Sequence, residues 1–556
     1  MVFKNIITKS LIAIAATLAI NYIASIVSSR VDITKDKRYT LSEATKKVIS
    51  ATDDLMYIDV YLTGDMPSEF KRLEAEVKIL LEEFSEVNDH IIINFENLKK
   101  EGVNLEEISN EMLKFGIPPL KVDSQENGKV IQETIFPWAV INYNKKYEKV
   151  PLIITNSNNP IDRINNSVEH LEYAFANAFK NLTSKKSKKI GYLLGNNELK
   201  SKHVYSFLQT LESSYYIIPF DLDSVNTKPN KTLNNLKELD LIIAAKPQKK
   251  FSEKQKYALD QYTINGGKSL WLIDNVHAEL DSVSKRGETL AFNQELNLTD
   301  LFFQYGFRID PVLVKDLYSA NITSLSDNNQ PNQVPWLYNP VVIPKIKHAI
   351  VNNINPVRFE FANSIALLKQ GINIKKTPLL QSSKYASFVG VPKIISTKEI
   401  KLFQKKDIVK SLTKKDINLA VLLEGNFTSA YKNRIKPFEY SAHKDQNKSA
   451  KMVAIADGDV IKNQFSKGKP LPLGFDRNNP NQQFGNNEFL LNTVNYLLDD
   501  TGLINVRNKE VKIPFLDIER IADEKRKWQL INILLPLLIL GVFGILFNYF
   551  RKRKYC

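Results

Sequence analysis

Two aspartates flank a single glycine at Asp457-Gly458-Asp459, directly after the apolar run Met452–Ala456. Paired carboxylates on a short turn have the oxygens to hold a hard cation. The same residues also suit a strand-end turn in which an aspartate caps the next segment. Two other polar clusters follow apolar runs in the same way. Gly195-Asn196-Asn197-Glu198 follows Ile190–Leu194, and Asp274-Asn275 follows Ser269–Ile273. Open parallel sheets bind ligands outside the carboxyl ends of their strands. Asn196, Asn197, Asp274, Asp457 and Asp459 are therefore the candidate ligand-edge positions. No further carboxylate or histidine stands at a spacing that completes a ligand set, so no metal ligand, cofactor or catalytic residue is assigned.

The rest of the chain offers little other chemistry. Its six histidines are His90, His170, His203, His277, His348 and His443, and none belongs to an HxH or HExxH pattern. There is no GxSxG elbow and no GxxxxGK[ST] loop, and Gly191 and Gly195 do not make GxGxxG. ATP hydrolysis is thus expected from a partner, and the chain is expected not to be an enzyme. Cys556 is the one cysteine. It excludes an intramolecular disulfide, a thiolate metal site and a thiol nucleophile in the body.

These candidates need elements to position them. From Ile190 onward apolar runs alternate with helical patterns. Strands are expected at Ile190–Leu194, Tyr216–Phe220, Leu241–Ala245, Ser269–Ile273 and Met452–Ala456. Helices are expected at Lys202–Leu211, Glu253–Ile264, Leu298–Tyr305 and Asn487–Leu498. That alternation predicts a doubly wound, mostly parallel sheet. A β-rich insertion at about 307–440 interrupts it, with loops rich in Asn, Gln and Pro. Upstream, the order β-α-β-α-β-β matches a thioredoxin-like unit. Thr40 and Glu43 have capping-box spacing. Leu55–Leu62 and Ile91–Phe95 read as strands, and a hairpin is expected from Glu133–Asn142 and Tyr147–Ile154 around Asn144-Lys145. Without cysteines this domain cannot perform thiol redox chemistry and is expected to bind or pack.

Two long apolar stretches lie outside these domains, Ile6–Val27 and Leu530–Phe550. A bilayer core about 30 Å thick needs roughly 20 apolar residues in a helix, and both stretches qualify. Arg551-Lys552-Arg553-Lys554 follows the second, and such clusters stay cytoplasmic. The expected topology is a two-pass protein of the inner, cytoplasmic membrane, with a periplasmic body and both termini cytoplasmic. The chain then divides into an N-terminal transmembrane anchor (1–29), the thioredoxin-like domain (30–160), a helix and basic linker (161–189), the α/β domain (190–510), a juxtamembrane segment (511–529), the second transmembrane helix (530–550) and a basic tail (551–556). With 76 Lys and Arg against 61 Asp and Glu, the net charge is +15. Scattered lysines without interleaved aromatics suit an anionic lipid or envelope surface better than nucleic acid.

Several longer stretches carry a resemblance: Arg38–Ile49, Gln132–Tyr143, Lys188–Glu198, Met452–Asn463, Asn487–Asp500 and the closing Arg-Lys-Arg-Lys tail. Across nearly its whole length the chain resembles the gliding-motility GldG family of Bacteroidetes, within the auxiliary or "substrate-binding" components of ABC-type transporters. The resemblance implies a permease-like membrane partner (GldF-like), a cytoplasmic ATPase (GldA-like) and a role linked to gliding. It supplies no catalytic residues. An extracytoplasmic ligand- or polymer-binding module and an uncharacterised hydrolase are the rival expectations.

Overall fold

The structure is a computed structural model. It describes residues 12, 14–19, 21–22, 40–99, 104–126, 129–154, 157, 159–325, 330–399, 412–446, 449–480, 482–509 and 518–555. They fall into a body, Met1–Glu510, and a C-terminal unit, Val511–Cys556. The first expected anchor lies largely outside the described residues.

The body begins with α1 (Glu43–Ser50). Its cap is Ser42, whose side chain accepts from the Thr45 N–H, and not Thr40 as the capping-box spacing suggested. Next come β1 (Met56–Val60), α2 (Ser68–Val87), β2 (Ile91–Phe95), α3 (Leu105–Phe115), β3 (Leu120–Glu126), β4 (Lys129–Ile135), β5 (Trp138–Tyr143) and β6 (Lys146–Pro151). Four strands form a sheet in the order β2-β1-β5-β6, with β1 parallel to β2 and antiparallel to β5. Asn144 and Lys145 join β5 to β6 with positive φ of 45° and 64°, the backbone that matches strand twist in a two-residue hairpin. The strand expected over Glu133–Asn142 is two strands. Pro137 falls between β4 and β5, because it has no N–H for a ladder. Helix α4 (Pro160–Thr183), capped by Asn159, covers one face. Its Phe175 and Phe179 meet Phe84 of α2 edge-on, with ring centroids 6.2 and 5.5 Å away.

The second part of the body starts with β7 (Lys189–Leu194), α5 (Ser201–Glu212), β8 (Tyr216–Asp221), α6 (Pro229–Lys237), β9 (Leu241–Ala245), α7 (Glu253–Ile264) and β10 (Lys268–Leu272). A run of short elements follows: β11 (Val276–His277), α8 (Leu280–Arg286), β12 (Glu288–Asn293), α9 (Thr299–Gln304), β13 (Phe307–Asp310), β14 (Val312–Asp316), β15 (Ser319–Leu325), β16 (Pro331–Val342), β17 (Val357–Arg358), β18 (Ser364–Leu367), β19 (Ile374–Gln381), β20 (Ala386–Gly390) and β21 (Lys393–Ser396). Then come β22 (Asn418–Gly425), β23 (Ala450–Ile455), the β24 (Phe465–Ser466) and β25 (Lys469–Pro470) hairpin, and α10 (Asn486–Leu498).

Seven of these strands make the central sheet, in the order β19-β22-β23-β10-β9-β7-β8. Strands β8, β7, β9, β10 and β23 run parallel. Strands β22 and β19 add antiparallel neighbours on the β23 side. The stretch read as an insertion therefore supplies two strands of the main sheet. Leu419–Leu423 are all buried, as a strand covered on both faces requires. One face packs under α5 and α10 through Val204, Phe207, Phe489 and Val494. The other packs under α6 and α7 through Leu233, Leu236, Tyr257 and Leu259. Parallel strands between helices place the carboxyl ends of β7, β9, β10 and β23 along one edge.

The C-terminal unit holds one long helix, α11 (Ile518–Tyr555). Its stretch Glu524–Arg553 is long and apolar enough to cross a membrane, and its apolar window is unburied. Pro536 lies inside it.

Candidate functional site

Three of the five sequence candidates meet at the carboxyl edge. Asp274 follows β10, and Asp457 and Asp459 follow β23. A residue the sequence reading missed joins them. Lys246, immediately after β9, places its Nζ 3.0 Å from Asp274 Oδ2 and in contact with Asp459 Oδ2. Lys246 takes the left-handed region, φ 51°, while its N–H still donates to Leu272 O at 2.9 Å. The neighbouring Gly458 explains how the strand ends come so close. A Cβ there would lie 2.5 Å from the Lys246 Cβ and 3.0 Å from its Cα.

The protein itself supplies most of the aspartates' partners, and of their oxygens only Asp459 Oδ1 is buried without a hydrogen bond. Asp457 Oδ1 accepts from the Asp459 N–H at 2.7 Å, and its Oδ2 accepts from the Glu360 N–H at 2.6 Å. The first contact is an Asx turn, the strand-end arrangement. Asp274 Oδ1 accepts from the Gly458 N–H. Lys462 lies 3.2 Å from Asp459, and Arg358 bridges Glu360 at 2.8 Å and Asp476 at 3.3 Å. The ammonium of Lys246 thus sits as a built-in cation between Asp274 and Asp459, rather than between Asp457 and Asp459 as the sequence suggested. Among the described residues no group of three or more His, Cys, Asp or Glu is arranged to hold a metal ion.

Burial and mutual charge set the protonation of this cluster. Burial pulls the Lys246 ammonium down, but Asp274 and Asp459 outweigh it and hold it well above the usual lysine range. Burial pushes Asp459 up, yet Lys246 and Lys462 keep it below the usual carboxylate range. Asp457 is driven well above that range by burial and by the charges of Asp274 and Asp459. Burial also raises Asp274 and Glu360. The arrangement is a closed ionic knot tying β9, β10 and β23 to the loop at 358–363.

Asn196 and Asn197 are not in the knot. Asn196 O accepts from the N–H groups of Gln248 and Lys249 at 2.8 and 2.9 Å, and its amide faces Gln255 at 3.2 Å. Asn197 donates to Gln248 at 2.9 Å. These two residues lock the loop after β7 to the loop after β9. An open cavity of about 440 Å³ lies along the same edge, lined by Lys250, Asn275, Gln294, Asn297, Asp300 and Arg308. A second, of about 410 Å³, lies at the amino edge against Lys186, Tyr215, Asn495 and Asp500. A histidine meets a tyrosine hydroxyl at His443. Its Nδ1 is 3.0 Å from Tyr257 Oη and its Nε2 3.0 Å from Asp445. Tyr257 is buried and its hydroxyl is pushed up to about 12 by burial and Asp260, so a substrate does not reach it as a nucleophile.

The missed partners differ in what signal they left. Lys246 ends the apolar run LIIAAK, a strand-end charge as plain as Asp274. Arg358, at the end of β17, and Glu360 just after it are distant in sequence and left none.

Comparison with known proteins adds four matches. The family described as an ABC-type uncharacterized transport system matches residues 187–493, more than half of the chain. A domain family of unknown function matches residues 35–142. A protein of Borreliella burgdorferi described as uncharacterized is 24% identical over 538 residues, covering 95% of each chain. Among solved structures, the mmIFT52 N-terminal domain aligns at 11% identity with a TM-score of 0.31, over 56% of this chain and 98% of that one.

Proposed function

From the premise that this chain belongs to the ABC-type uncharacterized transport system family, we propose that it is a non-enzymatic auxiliary subunit of a membrane transporter. The observation that carries this reading is the pairing of two features. Helix α11 has an exposed apolar stretch fit for a bilayer, and the carboxylate cluster at the edge where such a sheet would do chemistry is closed by its own ion pairs. The body supplies no phosphate-binding loop, so energy comes from an ATPase partner and passage from a permease-like one. In the fuller form of the proposal, a second anchor at Ile6–Val27 makes the protein two-pass, with a periplasmic body and cytoplasmic termini. The N-terminal sheet, order β2-β1-β5-β6, is then a thioredoxin-like packing module. The partners are GldF-like and GldA-like, and the role in gliding is the narrowest layer.

The test is purification of the tagged full chain in mild detergent, with mass spectrometry of what comes with it. A permease and an ATPase in near-stoichiometric amounts are expected. Isolation of the chain free of both would end the proposal. A second reading, a ligand- or polymer-binding module, rests on the 440 Å³ cavity beside Asn275. A thermal shift with soluble envelope glycan fragments, lost on Arg308→Ala, would favour it.

A further inference from the structure

Among the described residues the two larger sheets have four edge strands, and three are guarded against pairing with another chain. Strand β8 carries Pro219, β19 carries Lys375, Lys376 and Pro378, and β6 carries Lys146, Lys149 and Pro151. Proline and lysine on an edge discourage strand addition, because one lacks a donor and the other keeps a charge in water. The fourth edge, β2, reads Ile-Ile-Ile-Asn-Phe and has neither.

Its hydrogen-bonding groups have a definite direction. The Met56 N–H donates to His90 O and the Glu96 N–H donates to Val60 O, both at 2.9 Å. The even-numbered residues of β2 therefore face β1. In a parallel ladder the alternate residues point the other way, so the backbone groups of Ile91, Ile93 and Phe95 line the outer edge. The Ile91 N–H is taken by Asn88 O. Among the described residues, that leaves the N–H and C=O of Ile93, the N–H and C=O of Phe95 and the C=O of Ile91 without a partner.

This set is self-complementary. A two-fold axis through Ile93 puts two β2 strands antiparallel, with Ile93 opposite Ile93 and Phe95 opposite Ile91. Four backbone hydrogen bonds then form without breaking the Ile91 contact, two between the Ile93 residues and one from each Phe95 N–H to Ile91 O. The side chains agree. Ile91 and Phe95 lie on the helix-covered face and belong to or pack against the core of that domain, so their pairing carries one apolar layer across the axis. On the other face exposed Ile92 meets Asn94, and His90 meets Glu96, so no like charges oppose each other.

We propose that β2 is a homodimerisation edge, and that two copies of this chain join their N-terminal sheets into one continuous eight-stranded sheet. The occupant is a second copy because the register, the free donors and acceptors and the flanking charges all match under one two-fold operation.

The experiment uses the full chain in mild detergent. Sedimentation should give a dimer for the native protein. The double substitution Ile92→Lys/Asn94→Lys sets like charges opposite each other at two symmetric places and should weaken the dimer by about tenfold or more. Ile93→Cys in a Cys556→Ser background should cross-link under mild oxidation, since hydrogen-bonded antiparallel partners lie about 5.5 Å apart at Cα, within disulfide range. Tyr57→Cys, one strand inward, should not. A native monomer at micromolar concentration with no Ile93→Cys dimer overturns the proposal. So does cross-linking of Ile93→Cys to a different polypeptide, which would make the occupant a transporter strand. Co-purification with a permease and ATPase is read separately and does not depend on this outcome.

Discussion

Lys246→Met isolates what the ionic knot does. The substitution keeps the aliphatic stem and removes the ammonium shared by Asp274 and Asp459, whose side chains are only 9% and 6% exposed. Breaking a buried pair by deleting one partner costs about 3–5 kcal/mol, because a desolvated charge is left behind. Lys462 still reaches Asp459, so the low end applies, about 3 kcal/mol. That is a large part of the roughly 5–15 kcal/mol that holds a domain folded. The assay is urea unfolding in detergent, followed by tryptophan fluorescence, to which Trp271, buried in the sheet core, contributes. A companion substitution adds a check. Asp274→Asn keeps an oxygen for the Gly458 N–H and removes a charge, so the double variant should recover about 1–2 kcal/mol relative to Lys246→Met. A loss below about 1 kcal/mol for Lys246→Met refutes the structural account. It would mean that the ammonium is held at a cost to stability, as functional residues often are.

Two further outcomes follow, one from the same region and one from helix α4. Gly458→Ala should destabilise by about 1–3 kcal/mol through overpacking on the Lys246 stem and backbone, and unchanged unfolding would show that the approach of β23 to β9 is looser than these distances. His170 gives a pH signature. Burial and the Arg507 guanidinium, 3.1 Å from its Nδ1, hold it well below the usual histidine range. A depressed histidine contributes stability that is complete above its unfolded value of about 6.5 and is lost as pH falls toward the folded one, with a slope up to about 1.4 kcal/mol per unit. His170→Gln keeps an acceptor and cannot titrate, so its unfolding free energy should fall less between pH 7 and 5; parallel curves for the two proteins would refute the assignment.

The elements that could be read from the sequence are those whose signal is local. Leu241–Ala245 and Glu253–Ile264 are found at the expected boundaries, since a strand buried on both faces is a continuous apolar run and Ser252 with Gln255 makes a capping box. Strands β19 and β22 were hidden inside an apparent insertion because antiparallel pairing across about 40 residues leaves no periodicity. The β3–β4 hairpin did leave a signal, Asn127-Gly128, the pair preferred in two-residue turns. The site divides in the same manner. Strand-end placement brought Asp274, Asp457 and Asp459 to one edge, but the cation that closes them lies 213 positions from Asp459, and Asn196 and Asn197 face Gln248 and Gln255 instead.

The energetics of the knot also decides where a ligand could enter this edge. A ligand seated among Asp274, Asp457 and Asp459 has to displace Lys246 first. Losing that pair forfeits about 3 kcal/mol, which at 1.4 kcal/mol per decade is roughly a hundredfold in affinity. A contact set worth micromolar binding would fall to about 0.1 mM. A cationic ligand gains nothing over the ammonium already present, and Gly458 leaves no room on the Lys246 side for both. The cavity beside Asn275 is reached at no such cost. Asn275 is already held by Asn363 through its N–H and by Ile309 O through its amide, each at 2.6 Å, and its side-chain oxygen remains as an acceptor. A ligand at the carboxyl edge is therefore favoured there, one loop away from the carboxylates that first drew attention.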